Sequence, residues 1–144
     1  KMMLNKSLDN VTYYGRGPEE NYTDRKTGDK GGIYTTTAEK MYEPYLIPQD
    51  NGLRTDTRWL KMTDANGKGL AFCMNELFNF NTSIYSTDNL TKASYTYQLQ
   101  PAKGLTLNLD YATTGVGCTA RSTFAAYRVY PAQYVREVII RPIK

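Results

Sequence analysis

Apolar and polar residues alternate most regularly in the stretch Leu105-Thr106-Leu107-Asn108-Leu109-Asp110-Tyr111. Successive side chains of a β-strand point to opposite faces, so this pattern places the large apolar side chains together on one face. We therefore predict a strand from Leu105 to Tyr111 with its apolar face buried.

A second pattern consists of two apolar-rich runs, "LRTDTRWLKMT" and "GLAFCMN", which flank Asp64-Ala65-Asn66-Gly67. Asn-Gly accepts the positive φ angles that a type I′ turn requires. The two runs are therefore predicted to form a β-hairpin closed by a type I′ turn.

Weaker patterns complete the prediction of a mostly β chain. The other predicted strands are Val11 to Tyr14, Phe78 to Ile84, Ser94 to Leu99 and Val135 to Arg141, the last ended by Pro142 because proline cannot donate to a ladder. Ser86 to Lys92 begins with good capping residues and is predicted to form a short helix. Lys26 to Tyr45, rich in Gly, Thr and Lys, is predicted to be a long ordered loop. The thirteen tyrosines also favour pleated, half-buried surfaces.

The length and charge of the chain limit its class. At 144 residues, with 40% hydrophobic and 22% charged residues, one globular domain spanning residues 1–144 is the expectation. No apolar run approaches the roughly 18 residues that span a bilayer, so no membrane partner is expected. The net charge is +4, but the Lys and Arg residues are scattered, so no nucleic-acid partner is expected either.

Histidine is absent, which excludes Ser-His, Cys-His and His-metal chemistry within this chain. Cys73 and Cys118 are too few for a zinc site, and we interpret them as buried free thiols, with a disulfide as the alternative. Asp24, Asp29 and Asp50 are too dispersed to predict a calcium or magnesium site. No metal site is predicted.

The stretch "GRGPEENYTDRKTG" from Gly15 to Gly28 is the densest cluster of charge and glycine. A dinucleotide-binding loop would need glycine where Glu20 stands and would not tolerate Pro18. Glu19 and Glu20 are adjacent and would not converge on one bond as an acid/base pair. We interpret the stretch as a turn followed by surface charges, in which Arg25 pairs with Glu20 or Asp24.

Three segments together, "VTYYGRGPEENYTDR", "MYEPYLIPQDNGLRTDTRWL" and "YRVYPAQYVREVIIRP", resemble the C-terminal small-chain domain of β-galactosidases in glycoside hydrolase family 2. The resemblance runs from about Val11 to Pro142 and implies an all-β fold, an antiparallel β supersandwich of the galactose mutarotase-like kind, present as a partial domain. The motif positions, expected to be structural, are Gly15, Arg16, Gly17, Pro18, Glu20, Asn21, Tyr22, Arg25, Asn51, Gly52 and Arg54.

The resemblance also implies a role. The family's catalytic glutamates belong to a TIM barrel that this chain does not resemble, so the chain is expected to have no catalytic residues and no cofactor of its own. Its expected partners are the barrel and remaining domains of a parent β-galactosidase and a β-galactoside or oligosaccharide. The resemblance leaves open whether the parent needs Mg²⁺ or another divalent or monovalent cation, and whether it is cytoplasmic or periplasmic. The alternative is a free-standing carbohydrate-binding module.

A late loop in this family reaches toward the sugar with a pattern like G-x-G-G-D-D-S-W. The corresponding stretch here, from Gly115 to Ser122, keeps the first two glycines but has neither the acidic pair nor the tryptophan. Thr119 and Arg121 are the candidate substrate contacts, and a loop without sugar contact is the competing interpretation.

Aromatic residues and domain completeness give the last expectations. Trp59 is expected in the core or at a sheet interface, with sugar stacking as the alternative. Sandwich rims are the expected position of the motif tyrosines, with the lining of a groove as the alternative. These tyrosines are Tyr13, Tyr14, Tyr22, Tyr42 and Tyr45. A chain that ends inside its sandwich should expose apolar surface and an open sheet edge, so a homodimer or higher assembly is predicted.

Overall fold

The computed structural model describes residues 1–118 and 122–144. Its strands form one antiparallel sheet of seven strands, with the order β1-β6-β5-β4-β2-β3 and with β7 also paired to β5. The strands are β1 (Met2–Asn5), β2 (Asn10–Gly17), β3 (Lys30–Thr37), β4 (Arg54–Thr63), β5 (Gly69–Ser83), β6 (Gly104–Asp110) and β7 (Val138–Ile143). The predicted fold class is confirmed: the chain is nearly all β, and the sheet is consistent with a β-sandwich domain.

Strand β5 organises the sheet because its 15 residues pair along both edges. One edge follows β4 from Gly69 to Phe80. Along the other edge, residues 69–74 pair with β7 and residues 79–83 pair with β6. The run "GLAFCMN" and the predicted strand Phe78 to Ile84, expected as two strands, therefore belong to one continuous strand, which ends at Ser83.

The ladder registers sort side chains onto two different faces. One face carries the apolar core, because Tyr13 lies opposite Leu60 and Leu60 opposite Phe72. The buried core residues are Val11, Tyr13, Ala38, Met41, Leu60, Met62, Phe72, Phe78, Phe80, Leu105 and Leu107. On the other face, at the end of β5, polar residues stand opposite one another, Asn79 with Asp110 and Asn81 with Asn108. The two faces therefore have different chemistry.

The hairpin between β4 and β5 is confirmed, but its predicted turn type is wrong. Gly67 has a φ of +79°, and Asn66 does not have the positive φ that a type I′ turn would require there. Instead, the carboxylate of Asp64 accepts hydrogen bonds from the backbone N–H groups of Asn66 and Lys68, at 2.8 and 3.0 Å. The side chain of Asp64 thus supplies the turn geometry.

Two other sequence predictions are wrong. The predicted strand Ser94 to Leu99 is a turn with a 3₁₀ helix at Thr96–Gln98, because the Gln98 side chain accepts from the N–H groups of Ser94 and Tyr95. The predicted loop Lys26 to Tyr45 contains β3, an edge strand that pairs with β2 over its full length.

The last strand was predicted correctly in place but not in extent. β7 continues through Pro142, which stands opposite Leu70, and ends at Ile143. Within the described residues β7 pairs with β5 alone. An edge strand needs hydrogen bonds on only one side, so it tolerates a residue without an N–H group.

The predicted short helix is confirmed as α1 (Thr87–Lys92), whose N-cap Ser86 accepts from the N–H of Asn89. Its Leu90 is buried in a second small apolar cluster with Ala93 and Leu99. Among the described residues, no helix is long and apolar enough to cross a membrane.

Candidate functional site

The motif segment, residues 15–29, leaves β2 and turns back along β4, and the side chain of Asn21 fixes this turn. Its Nδ2 donates to the carbonyl oxygens of Arg16 and Glu19, at 3.1 and 3.0 Å. Its Oδ1 accepts from the backbone N–H and the hydroxyl of Thr55, at 3.0 and 2.5 Å. Asn21 is fully buried. Every hydrogen-bonding group of this buried amide is therefore used to join the turn to β4.

Glu20 was expected to be a surface charge, and this expectation is wrong, because its side chain is 3% exposed. Its carboxylate accepts from the hydroxyl of Tyr22 at 2.8 Å, from the backbone N–H of Gly52 at 2.9 Å and from the hydroxyl of Tyr45. The predicted pairing of Arg25 with Glu20 is present, with Nη2 3.4 Å from Oε1.

The protonation state of Glu20 follows from these contacts. Burial raises the pKa of this carboxyl, but the hydrogen bonds from Tyr45, Gly52 and Tyr22 and the charge of Arg25 outweigh burial, so the pKa lies below its ordinary value. Burial raises the pKa of Tyr22, its hydrogen bond to Glu20 and the charge of Glu20 raise it further, and the charge of Arg25 opposes this shift. Glu20 is thus an ionised structural anchor with its oxygens occupied.

A second buried charge lies at the start of β4. Arg54 is 3% exposed, and its guanidinium donates to the hydroxyl of Tyr13 at 3.0 Å and to the carbonyl oxygens of Gly52 and Leu53 at 3.0 and 3.3 Å. Burial raises the pKa of Tyr13, and the charge of Arg54 opposes this shift. Tyr13 therefore belongs to the core, and its predicted place at a sandwich rim is wrong.

Glycine at position 52 is required by both backbone and space. Its φ is +75°, and a Cβ there would lie 2.2 Å from the carbonyl oxygen of Met41. The neighbouring Asn51 fixes the same region, because its side chain donates to the carbonyl oxygen of Glu43 at 2.6 Å and accepts from the N–H of Glu43 at 3.1 Å. The Asn51, Gly52 and Arg54 motif positions thus meet the Glu20 and Asn21 positions in space.

Asp56 is the principal residue of this site that the sequence analysis missed. Its carboxylate accepts from Arg16 Nε at 2.6 Å and from Lys26 Nζ at 2.9 and 3.0 Å. Burial raises the pKa of Asp56, but the hydrogen bonds and charges of Arg16 and Lys26 have the larger, opposite effect. The pKa of Asp56 therefore lies below its ordinary value. Asp56 has a φ of +53° and lies where the pairing of β4 with β5 is irregular. No local pattern signals this role.

Asp24 joins the motif segment to the late loop. Its two carboxylate oxygens accept from the N–H groups of Val116 and Gly117, at 3.0 and 2.7 Å. The hydroxyl of Thr23 donates to the carbonyl oxygen of Thr113 at 3.1 Å. The candidate substrate contacts Thr119 and Arg121 follow directly in sequence and lie outside the described residues.

The remaining predicted residues have mixed placements. Cys73 and Cys118 are free thiols as predicted, but their predicted burial is wrong, because Cys73 is half-buried and Cys118 is exposed. Trp59 is half-buried on the face opposite the core, edge-on to Tyr14 with ring centroids 6.4 Å apart. No group of three or more acidic or cysteine side chains that could hold a metal ion occurs within residues 1–118 and 122–144.

The motif residues form a polar corner of the sheet, which we define by Glu20, Asn21, Arg54 and Asp56, and their polar groups are hydrogen-bonded within the chain. The chain is therefore a β-sheet domain with a structural polar motif. The sequence matches the family described as "Beta galactosidase small chain" over residues 1–140, and the chain belongs to this family.

Proteins similar to this chain are named β-galactosidases. The one from Priestia megaterium is 36% identical over 114 residues, 79% of this chain and 11% of the relative. The one from Leuconostoc mesenteroides is 35% identical over 116 residues, 81% of this chain and 11% of the relative. The one from Streptococcus thermophilus is 38% identical over 109 residues, 75% of this chain and 11% of the relative. The chain therefore corresponds to a small part of much larger enzymes.

Proposed function

We propose that this chain is a non-catalytic part of the C-terminal β-sandwich of a β-galactosidase, which braces the catalytic barrel and shapes the entrance to the sugar site. The parent enzyme would hydrolyse terminal β-galactosides. Any Mg²⁺ or other cation that it needs would be held by its other domains. The relatives are named β-galactosidases, and this chain covers 11% of their length.

One observation carries the bracing role: an apolar surface on the late segment, residues 122–137, and on β7. Phe124 is 74% exposed and Val135 is 76% exposed. The other large exposed hydrophobic residues of this surface are Tyr127, Val129, Tyr130, Tyr134, Val138 and Ile140. Exposed clusters of aromatic and aliphatic side chains are typical of surfaces that another domain covers. The same surface supports the proposal that the isolated chain self-associates.

The non-catalytic assignment is supported by the state of the motif carboxylates. Glycosidases use a pair of carboxyl groups, one of which is a proton donor with a raised pKa. Glu20 and Asp56 instead have lowered pKa values and are occupied by structural donors. Neither is available to protonate a glycosidic oxygen.

A hybrid enzyme tests the proposal. In it, the aligned segment of the Priestia megaterium β-galactosidase is replaced by this chain, and the control is the same enzyme with that segment deleted. We expect the deletion to lower hydrolysis of a chromogenic galactopyranoside about tenfold or more, and the hybrid to recover most of the activity. Full activity of the deletion variant, or hydrolysis by the isolated chain, would contradict the proposal.

The carbohydrate-binding alternative is separated by titration calorimetry of the isolated chain with galactosides and plant oligosaccharides. A bracing domain should give no saturable heat. Millimolar or tighter affinity would favour a free-standing binding module instead.

A further inference from the structure

A cleft of about 170 Å³ lies on the polar face of the sheet, beside the motif segment. We call it the aspartate cleft and define it by the polar residues Asp50, Asn81, Asp110 and Thr113. Its walls include Tyr22, Leu53 and Val116. The cleft borders the cluster around Glu20 through Tyr22, but its four defining polar residues do not belong to that cluster.

The amide donors of the cleft are used within the chain. Asn81 Nδ2 donates to Asp50 Oδ1 at 2.8 Å and to the carbonyl oxygen of Asn51 at 2.9 Å, and its Oδ1 accepts from Asn108 Nδ2 at 2.8 Å. Asn79 Nδ2 donates to the hydroxyl of Thr113 at 3.0 Å. The asparagines are therefore fixed and leave few donors for a ligand.

The carboxylate acceptors, in contrast, remain open. Within the described residues, nothing donates a hydrogen bond to the side chain of Asp110, and the second oxygen of Asp50 is equally open. Burial raises the pKa of Asp110, and the charge of Asp50 adds to this shift. Two facing negative charges, one of them half-buried, favour a ligand that brings positive charge and several donors.

We propose that the aspartate cleft binds an arginine side chain from a part of the parent enzyme outside this chain. This inference rests on the proposed bracing function. A guanidinium group can donate two parallel hydrogen bonds to one carboxylate and neutralise charge at the same time. A neutral sugar could donate hydrogen bonds but would leave both charges uncompensated. The local negative charge also contrasts with the net charge of +4 on the chain.

The test is an NMR titration of the ¹⁵N-labelled chain with N-acetyl-arginine amide. The neutral probe is N-acetyl-citrulline amide, which has nearly the same shape without the charge. We expect saturable shifts at the backbone amides of Thr113, Thr114 and Val116 and at the side-chain amide of Asn81 with the arginine probe only. Equal shifts with citrulline, or no saturable shift, would overturn the proposal.

Matched variants locate the effect. Asp110→Asn should weaken binding of the arginine probe about tenfold, because it removes one charge-assisted pair. Asp88→Asn makes the same change in net charge at an exposed position of α1 and should bind as the unmodified chain does. Asp50→Asn provides a second test should Asp110→Asn alter the spectrum globally. Unchanged affinity in both cleft variants would refute the assignment.

A third probe, galactose, decides the ligand class. Saturable shifts in the cleft with galactose and none with the arginine probe would make it a carbohydrate site and overturn the inference. An active hybrid enzyme together with a cleft that ignores arginine would refute this inference alone. An inactive hybrid with an arginine-binding cleft would refute the bracing function and leave a cation-binding cleft.

Discussion

The motif segment, residues 15–29, lies outside the strands after Gly17, and the late segment, residues 122–137, lies outside them throughout, yet the two differ in what their side chains contact. The motif segment directs Glu20 and Asn21 inward and satisfies them with donors and acceptors of the same domain. The late segment leaves Phe124 and Val135 largely in solvent. The motif segment needs no partner, because its buried polar groups are hydrogen-bonded within the chain. The exposed apolar side chains of the late segment, in contrast, favour contact with another surface.

The late segment contacts the rest of the described chain at several points along its length. Arg136 places its guanidinium carbon 3.6 Å from the ring centroid of Tyr111, and Tyr134 packs against the same ring with centroids 5.4 Å apart. Near the other end, the hydroxyl of Thr123 donates to the carbonyl oxygen of Gly115 at 2.7 Å.

In the middle of the late segment, the carbonyl oxygen of Tyr127 accepts from the N–H of Gly115 at 2.8 Å, and the N–H of Val129 donates to the hydroxyl of Thr114 at 3.1 Å. These contacts are made mainly by backbone groups, and the side chains of Phe124 and Val135 stay exposed.

The largest effect on the motif side should come from Gly52→Ala. A Cβ at this position would lie 2.2 Å from a backbone oxygen, at a φ of +75°. We expect the free energy of unfolding to fall by about 3 kcal/mol or more, measured by urea denaturation. Gly67→Ala is the matched control, because its φ is +79° but no atom lies within 4 Å of the added carbon. It should cost about 1 kcal/mol. Equal costs at the two glycines would show that the motif region is not tightly packed.

A smaller effect should come from acid. The folded-state pKa values of Glu20 and Asp56 lie below their ordinary values, so the unfolded chain binds more protons as the pH falls. The stability that these carboxylates contribute is present at neutral pH and should be lost from about pH 5 downward. Urea midpoints between pH 3 and pH 7 measure this loss.

Asp56→Asn should flatten that acid dependence, whereas Asp88→Asn, at an exposed carboxylate, should leave it unchanged. If Asp56→Asn left the slope between pH 3 and pH 5 as steep as before, the ion pairs of Asp56 with Arg16 and Lys26 would contribute nothing to stability.

The smallest effect on stability should come from the late segment. Phe124→Ser removes an exposed ring and should change the free energy of unfolding of the isolated chain by about 0.5 kcal/mol or less. It should nevertheless reduce self-association of the chain in sedimentation and lower the activity of the hybrid enzyme. A large loss of stability, with self-association unchanged, would place the ring in the core of the isolated domain.

Local patterns in the sequence were sufficient for strands whose apolar face is buried, such as β6, and for the hairpin at Gly67. They failed for β3, because an edge strand with Gly31, Gly32 and three threonines lacks the apolar alternation that marks a buried strand. They also failed for β7 beyond Pro142, because an edge position removes the usual penalty for proline.

The polar corner was recognisable as a motif but not as a buried site. Glu20 reads locally as a surface charge, and its burial depends on Tyr45 and Gly52, which are 25 and 32 residues away in the sequence. Asp56 depends in the same way on Arg16, 40 residues away. Such long-range pairs leave no periodic signal, so only the folded chain brings them together.

Hydrogen exchange, followed in the isolated chain and in the hybrid enzyme, tests the contrast between the two segments most directly. The backbone amides of Tyr22, Arg25 and Thr55 donate hydrogen bonds in and beside the polar corner. We predict that these amides are protected from exchange equally in both proteins. Amides of residues 130–137 should exchange on the order of a hundredfold more slowly in the hybrid than in the isolated chain. Equal exchange of the late segment in the two proteins would contradict the claim that another domain covers it.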